Sequence, residues 1–210
     1  MNRSRIIKAL NWRYATEQFT RVPVPQEDLD TILEAGRLAP SSMNIQPWKF
    51  IQVTNPELRE HLWQAGFNQD KIKDAPHVIV LASRTNLTQH DADMLLAQTR
   101  NTRNVSDESL TGYRNMVEGY IARKSPEEAK HWNKAQSYIA LGFMLQTAAL
   151  LNVDAAPMEG FQSTKVNELL QLTDYTAVTL IALGYRSNKD HRQHWEKVRF
   201  PLEDIVETRK

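Results

Sequence analysis

HVIVLAS, residues 77–83, is an almost unbroken apolar run bounded by polar sequence. A strand with one wet face alternates apolar and polar residues, so a continuous run predicts a strand covered on both faces. TAVTLIALG, residues 176–184, has the same character and predicts a second central strand. WKFIQV at 48–53 reads as a third strand, and DAAPMEGF at 154–161 as a strand end and turn. Helical spacing fills much of the rest: Ile6, Ile7 and Leu10 near the start; Leu29, Ile32, Leu33 and Leu38 after Pro25, until Pro40 stops them; residues 56–65; a polar stretch at 88–125; a long helix at 127–151; and a short one at 164–172. The second half of the long helix is apolar nearly all round and is expected to lie in the middle of the molecule. The class is α+β, with helices around a small central sheet.

No repeat, low-complexity tract or linker divides the 210 residues, and 41% hydrophobic content supplies one sizeable core. A single domain over 1–210 is expected. Its C-terminal arm, about 200–210, has only Leu202, Ile205 and Val206 to bury and needs another surface, such as a partner subunit. Lysine plus arginine (26) nearly cancels aspartate plus glutamate (25), which argues against a nucleic-acid-coating surface but leaves room for a local basic pocket. The absence of cysteine excludes disulfides, thiolate nucleophiles and cysteine-ligated metals. The richest apolar stretch, Tyr138–Leu151, contains Gln146 and Thr147 and is too short for a membrane span. The N-terminal MNRSRIIKALNW lacks a signal-peptide pattern, so a cytoplasmic protein is expected.

Dinucleotide and Walker glycine fingerprints, H-E-x-x-H and G-x-S-x-G are all missing. Ser41 and Ser42 have no base nearby in sequence. His191 and His194 have metal-compatible spacing, but NKDHRQHWEK reads as a solvated surface, which leaves a metal enzyme as a remote alternative.

Five short segments, in order from Arg13 to Arg199, resemble the FMN-dependent nitroreductases. WRYATEQF resembles the family's R-x-S-x-[KR]-x-F; PSSMNIQPW, residues 40–48, its P-S-S-x-N-x-Q-P-W; Asn68 and Lys71 its N-x-x-K; Pro157 to Phe161 its P-x-E-G-F turn; and Lys197 with Arg199 its K-x-R-x-P. The resemblance implies a nitroreductase-like fold with a mostly antiparallel sheet, an intertwined homodimer sharing its active site, FMN as cofactor and NAD(P)H as transient donor. It also implies that Arg13, Lys197 and Arg199 clamp the FMN phosphate, the kind of anion that charge-assisted bonds hold best. Tyr14, Ala15 and Glu17 lie in the same FMN-binding segment, and Pro40, Ser41, Ser42 and Asn44 reach the flavin from the second subunit. Asn68 meets the flavin edge. Lys71 stabilises the charge that gathers on reduction. Pro157, Met158, Glu159 and Gly160 form the turn beneath the ring, with a backbone N–H toward N5; Lys71, Glu159 and Gly160 carry the catalytic roles.

Two positions depart from the family pattern. Ala15 stands where a serine is usual, at a cost of about 1 kcal/mol for the lost hydroxyl bond. Glu17 stands where a cation is usual; it either turns away, pairs with a neighbouring lysine, or makes the flavin harder to reduce. Tyr113, Met116 and Tyr120, with Phe161, are candidates for an apolar lid, with core packing as the alternative. The expected function is hydride transfer from NAD(P)H through FMN to a nitroaromatic, quinone or similar small molecule, without nucleic acid or membrane. A flavin-binding protein of low turnover, or another flavin chemistry such as dehalogenation or flavin fragmentation, is the alternative.

Overall fold

In the computed structural model, which describes residues 3–209, the HVIVLAS run is the core of a strand, β2 (His77–Arg84). It joins β1 (Trp48–Gln52), β3 (Asp154–Met158) and β4 (Tyr175–Gly184) in one sheet of order β1-β2-β4-β3, every pair antiparallel. The two apolar runs are therefore central neighbours, with Ile79 opposite Ile181 and Val80 opposite Leu180.

Both faces of this pair are covered. Val78, Val80, Leu180 and Ala182 pack with Leu62 of α3 (Pro56–Ala65), Ile72 of α4 (Lys71–Asp74) and Val166 of α8 (Ser163–Leu169). Ile79, Leu81, Ile181 and Leu183 pack with Leu29 and Ile32 of α2 (Gln26–Arg37) and Leu141 and Met144 of α7 (Pro126–Leu150). Neither strand alternates because neither has a wet face. Each large side chain so buried stabilises by about 1.5–3 kcal/mol.

α2 begins after Pro25 and ends at Arg37, so Leu38, which the pattern assigned to the helix, lies exposed beyond it. Its approach to α7 depends on Gly36, where a Cβ would sit 2.9 Å from both Met144 Cγ and Phe50 Cζ. α7 starts with a reciprocal cap in which Ser125 and Glu128 satisfy each other's free amides. In the single chain α7 is not in the middle of the molecule. It covers one face of the sheet, with α1 (Arg3–Trp12) and α2 against it, and leaves Ile139 and Phe143 exposed.

The 88–125 stretch divides into α5 (Gln89–Arg103) and α6 (Thr111–Ala122) after left-handed Asn104 at φ 51°. These helices form a small core of Ala92, Leu95 and Val117. At the other end of the molecule Asp154 anchors Arg186, Nη2 to Oδ1 at 2.6 Å, and the guanidinium stacks over the rings of Trp12 (4.2 Å) and Tyr14 (4.6 Å). This stack, with bridges from Ala15 to Ala155 and from Phe19 to Arg186, fixes the 12–19 segment along the sheet edge. The C-terminal arm carries the short α9 (Leu202–Ile205), and along it Val198, Phe200, Leu202, Ile205 and Val206 are all exposed.

Candidate functional site

α1 ends at Trp12, leaving unpaired carbonyls at the negative end of its dipole. Lys197 uses them: its Nζ donates to the Leu10 carbonyl at 2.7 Å and also to the Arg13 carbonyl. The C-terminal arm is thereby pinned beside the 12–15 segment. Between them lies a cleft of about 620 Å³ lined by Trp12, Arg13, Tyr14, Ala15, Arg192, Trp195, Lys197 and Arg199, with Asn11, Gln193 and Glu196 completing its wall. Arg13, Lys197 and Arg199, the three cations that the family resemblance groups together, all line this cleft. Burial, followed by the charge of Arg199, lowers the pKa of Arg13; burial, then Arg13 and Arg199, lowers that of Lys197. Arg13 Nε is buried without a partner, and among the described residues none of these three cations pairs with a carboxylate. Like charges packed together with an unused buried donor are a donor set that an anion would fit. Tyr14 is inside the cleft wall, and burial pushes its hydroxyl up to about 12, so it stays protonated at neutral pH.

A second cluster adjoins the cleft. Asp190, buried at the start of a short turn, accepts from the backbone amides of Glu17 (2.8 Å), Gln18 (3.2 Å) and Arg192 (2.9 Å). Glu17 and Arg192 are thus indexed to one carboxylate, although 175 positions separate them. The Glu17 side chain holds the Lys71 Nζ with both oxygens, at 2.9 and 3.0 Å, and the Arg192 Nη1 at 2.7 Å. Of the possibilities the sequence leaves open, pairing with a lysine is the one found, and that lysine is Lys71 itself. Nearby, Phe67 and Asn68 are both left-handed (φ 55° and 56°), and Asn68 is exposed, outside the following helix.

The 159–160 turn is tied to this cluster. Gln69 Nε2 donates to the carbonyls of Gly66 (2.9 Å) and Gly160 (2.7 Å). A Cβ on Gly160 would meet only that Nε2, at 3.7 Å, so the space over the turn is open to a ligand. Glu159 Oε2 lies 3.8 Å from Lys134 Nζ, and burial followed by the Glu159 carboxylate pushes the Tyr138 hydroxyl pKa upward. Pro157 is half-buried on the edge strand. The Met158 side chain is core, and its carbonyl accepts from Thr179 Oγ1 at 3.0 Å, so neither faces the space over the turn.

The 40–48 loop stands apart within one chain. Gln136 Oε1 accepts from the Ser42 amide (2.8 Å), Ser41 Oγ from the Gln46 amide (2.9 Å), and the Met43 carbonyl from the Tyr113 hydroxyl (3.0 Å). Met43, Asn44 and Gln46 are left-handed, a concentration of backbone strain in non-glycine residues. Among the described residues no hydrogen bond or ion pair joins Pro40, Ser41, Ser42 or Asn44 to Arg13, Lys71, Lys197 or Arg199. The four-residue lid is not assembled either. Tyr113 packs in the α5–α6 core, Tyr120 meets the Trp132 ring edge-on, Met116 is exposed, and Phe161 packs with α3 and α8.

Local reading missed Asp190, Arg192 and Gln69. The 188–197 segment reads as solvated, yet Asp190 is buried and Arg192 lines the cleft; the one signal was a short capping residue two positions before a cation. His191 and His194 are exposed there, and among the described residues no group of three or more His, Asp or Glu is placed to hold a metal.

The model of the Nitroreductase family matches residues 10–185, a span that takes in the 12–17 segment, the 40–48 loop, Lys71 and the 157–160 turn. The chain belongs to the nitroreductase family. A "Putative NAD(P)H nitroreductase" of Staphylococcus saprophyticus is 32% identical over 219 residues, spanning 96% of this chain and 95% of its own. Solved nitroreductases share the fold at lower identity. The Bacillus subtilis "putative nitroreductase ydfN" superposes with a TM-score of 0.88 at 20% identity, over 99% of this chain and 100% of its own. A "putative nitroreductase in complex with FMN" from Exiguobacterium sibiricum does so at 0.82 and 21%, over 100% and 98%. Lys197 and Arg199, which close the nitroreductase cleft here, lie beyond the matched span, so their place rests on the geometry of this chain.

Proposed function

We propose that this nitroreductase-family chain is an FMN-dependent NAD(P)H oxidoreductase acting on flat, electron-poor small molecules such as nitroaromatics or quinones. The observation that carries the reading is the cleft in which Arg13, Lys197 and Arg199 face one another and, among the described residues, have no carboxylate partner, the Arg13 Nε buried and unused. A phosphate of nearly two negative charges fits that donor set. When bound, FMN would take a hydride, two electrons and a proton, from NAD(P)H, which leaves as NAD(P)⁺, and return the electrons to an acceptor.

The chain's own residues bind and orient. Arg13, Lys197 and Arg199 hold the phosphate, with Tyr14 and Ala15 in the wall. Lys71, nearly buried, sets a cation where reduction adds negative charge. Asn68 offers a carboxamide with no hydrogen-bond partner among the described residues, donor and acceptor together. Glu159 and Gly160 present open backbone, held in place through Gln69. Without a dinucleotide-binding fingerprint, NAD(P)H docks transiently on the cofactor instead of in a domain of its own.

Pro40, Ser41, Ser42 and Asn44 complete the site from a second copy. Supporting this, the exposed Ile139 and Phe143 of α7 and the uncovered apolar arm give a homodimer its contact surface. The reading carries a cytoplasmic location, where NAD(P)H is regenerated. A second reading, a flavoprotein of low turnover or of another flavin chemistry, draws support from the Glu17 carboxylate seated on Lys71. Anaerobic addition of NADH or NADPH to the yellow protein decides between them. Bleaching, followed by reoxidation with a nitroaromatic or quinone, is expected. A yellow protein that neither donor bleaches overturns the reductase.

A further inference from the structure

We propose that Glu17 sets how readily the bound cofactor is reduced, by dividing its carboxylate between Lys71 and Arg192. It is a positioning residue acting through the charge of Lys71, and the proposal rests on the reading that FMN occupies this site.

Lys71 is 8% exposed, so water screens its charge weakly and a neighbouring ligand would meet nearly the full field of an unpaired ammonium. The ammonium is paired. Glu17 oxygens at 2.9 and 3.0 Å turn the cation into one end of a compact dipole, whose field falls off faster than that of a charge. Hydride transfer from NAD(P)H brings two electrons and one proton and leaves one additional negative charge on the acceptor group. A neutralised Lys71 stabilises that charge less than a free one.

Arg192 moderates the effect. Its Nη1 takes Glu17 Oε1 at 2.7 Å, the same oxygen that makes the shorter contact to Lys71. Two cations compete for one carboxylate oxygen, and the competition returns part of the Lys71 charge to the site. The arrangement is built rather than incidental, because Asp190 fixes the backbone of both Glu17 and Arg192. Arg192 also lines the anion cleft, so the group that sets the charge on Lys71 is in contact with the place where the phosphate is held.

The test is a spectroscopic redox titration of FMN-loaded protein and three variants, together with dissociation constants for oxidised and fully reduced FMN. Glu17→Gln keeps size and an acceptor oxygen but removes the charge. It is expected to favour the reduced form at least tenfold, a rise of about 30 mV for a two-electron couple, and to tighten reduced over oxidised FMN by the same factor. Arg192→Gln shifts the balance the other way, and by a smaller factor when Glu17→Gln is already present, the non-additivity expected of residues acting through one another. Glu17→Asp, with a shorter reach to Lys71, moves in the direction of Glu17→Gln by less, which keeps the proposal testable should the Gln variant fail to fold. FMN bound with Glu17→Gln unchanged or shifted toward oxidation overturns this proposal and leaves the function standing. Failure of the wild-type protein to take up FMN overturns the function itself.

Discussion

Gln69 donates its side-chain amide to the Gly160 carbonyl at 2.7 Å, joining positions 91 apart in sequence and tying the Asn68–Lys71 segment to the turn after β3. The same amide nitrogen bonds Gly66, so one side chain spans two loops. Gln69→Ala is expected to cost about 1 kcal/mol of stability, read as a lower urea midpoint, and to loosen FMN more than that loss explains, since both halves of the turn then move independently. An unchanged FMN affinity would show that the turn keeps its shape unaided.

The Asp154–Arg186 pair sets where the 12–19 segment runs. Asp154 also accepts from the Arg186 amide (2.8 Å) and the Thr16 hydroxyl (3.3 Å). Asp154→Ala strands a guanidinium between two aromatic rings and should cost about 3–5 kcal/mol. Replacing both partners, Asp154→Leu with Arg186→Met, should recover most of that. Equal destabilisation by the single and double variants in chemical denaturation would contradict the view that an uncompensated charge is the source of the loss.

What the sequence makes legible here is what depends on one residue's own surroundings. The central strands show because burial on both faces leaves no polar position between Val78 and Ala82, and α3 shows its bounds through Asn55, Pro56 and Gly66. The cations of the cleft are legible only through the resemblance of five short segments, taken in order, to one family; an isolated Arg13, Lys197 or Arg199 reads as a surface charge. Contacts between distant segments were not visible. Nothing near Glu17 announces Arg192. The second half of α7 reads as apolar nearly all round, but a place in the middle of the molecule holds only if a second copy covers Ile139 and Phe143.

The proposed second copy is open to test. Phe143 is 43% exposed on α7, and Gly142 beside it is open. Phe143→Glu is expected to convert the proposed dimer to a monomer in sedimentation while leaving the far-ultraviolet circular dichroism intact, because among the described residues the side chain belongs to none of the buried core clusters of its own chain. FMN content should fall with it. A dimer that survives the substitution places the interface elsewhere.

His77 supplies a pH dependence of stability. Burial, opposed by a backbone hydrogen bond to Val24 and aided by the charge of Arg59, lowers its pKa below the ordinary 6.5, and its Nε2 is buried with no partner among the described residues. The folded state therefore binds this proton less readily than the unfolded chain. Its contribution is fully present above pH 6.5 and is lost as pH falls through the lowered folded value. Urea midpoints should decline from pH 7.5 to 5, and His77→Gln should flatten that decline. An identical slope in the variant would assign the dependence to other groups.

Titration of flavin-free protein with FMN and, in parallel, with riboflavin isolates the phosphate from the ring. The cleft of Arg13, Lys197 and Arg199 predicts FMN binding at least about a hundredfold tighter, with most of that preference lost in Arg199→Ala, since a charge-assisted bond is worth about 1.5–3 kcal/mol and each 1.4 kcal/mol is tenfold. Equal affinity for the two flavins, or binding of neither, would contradict it.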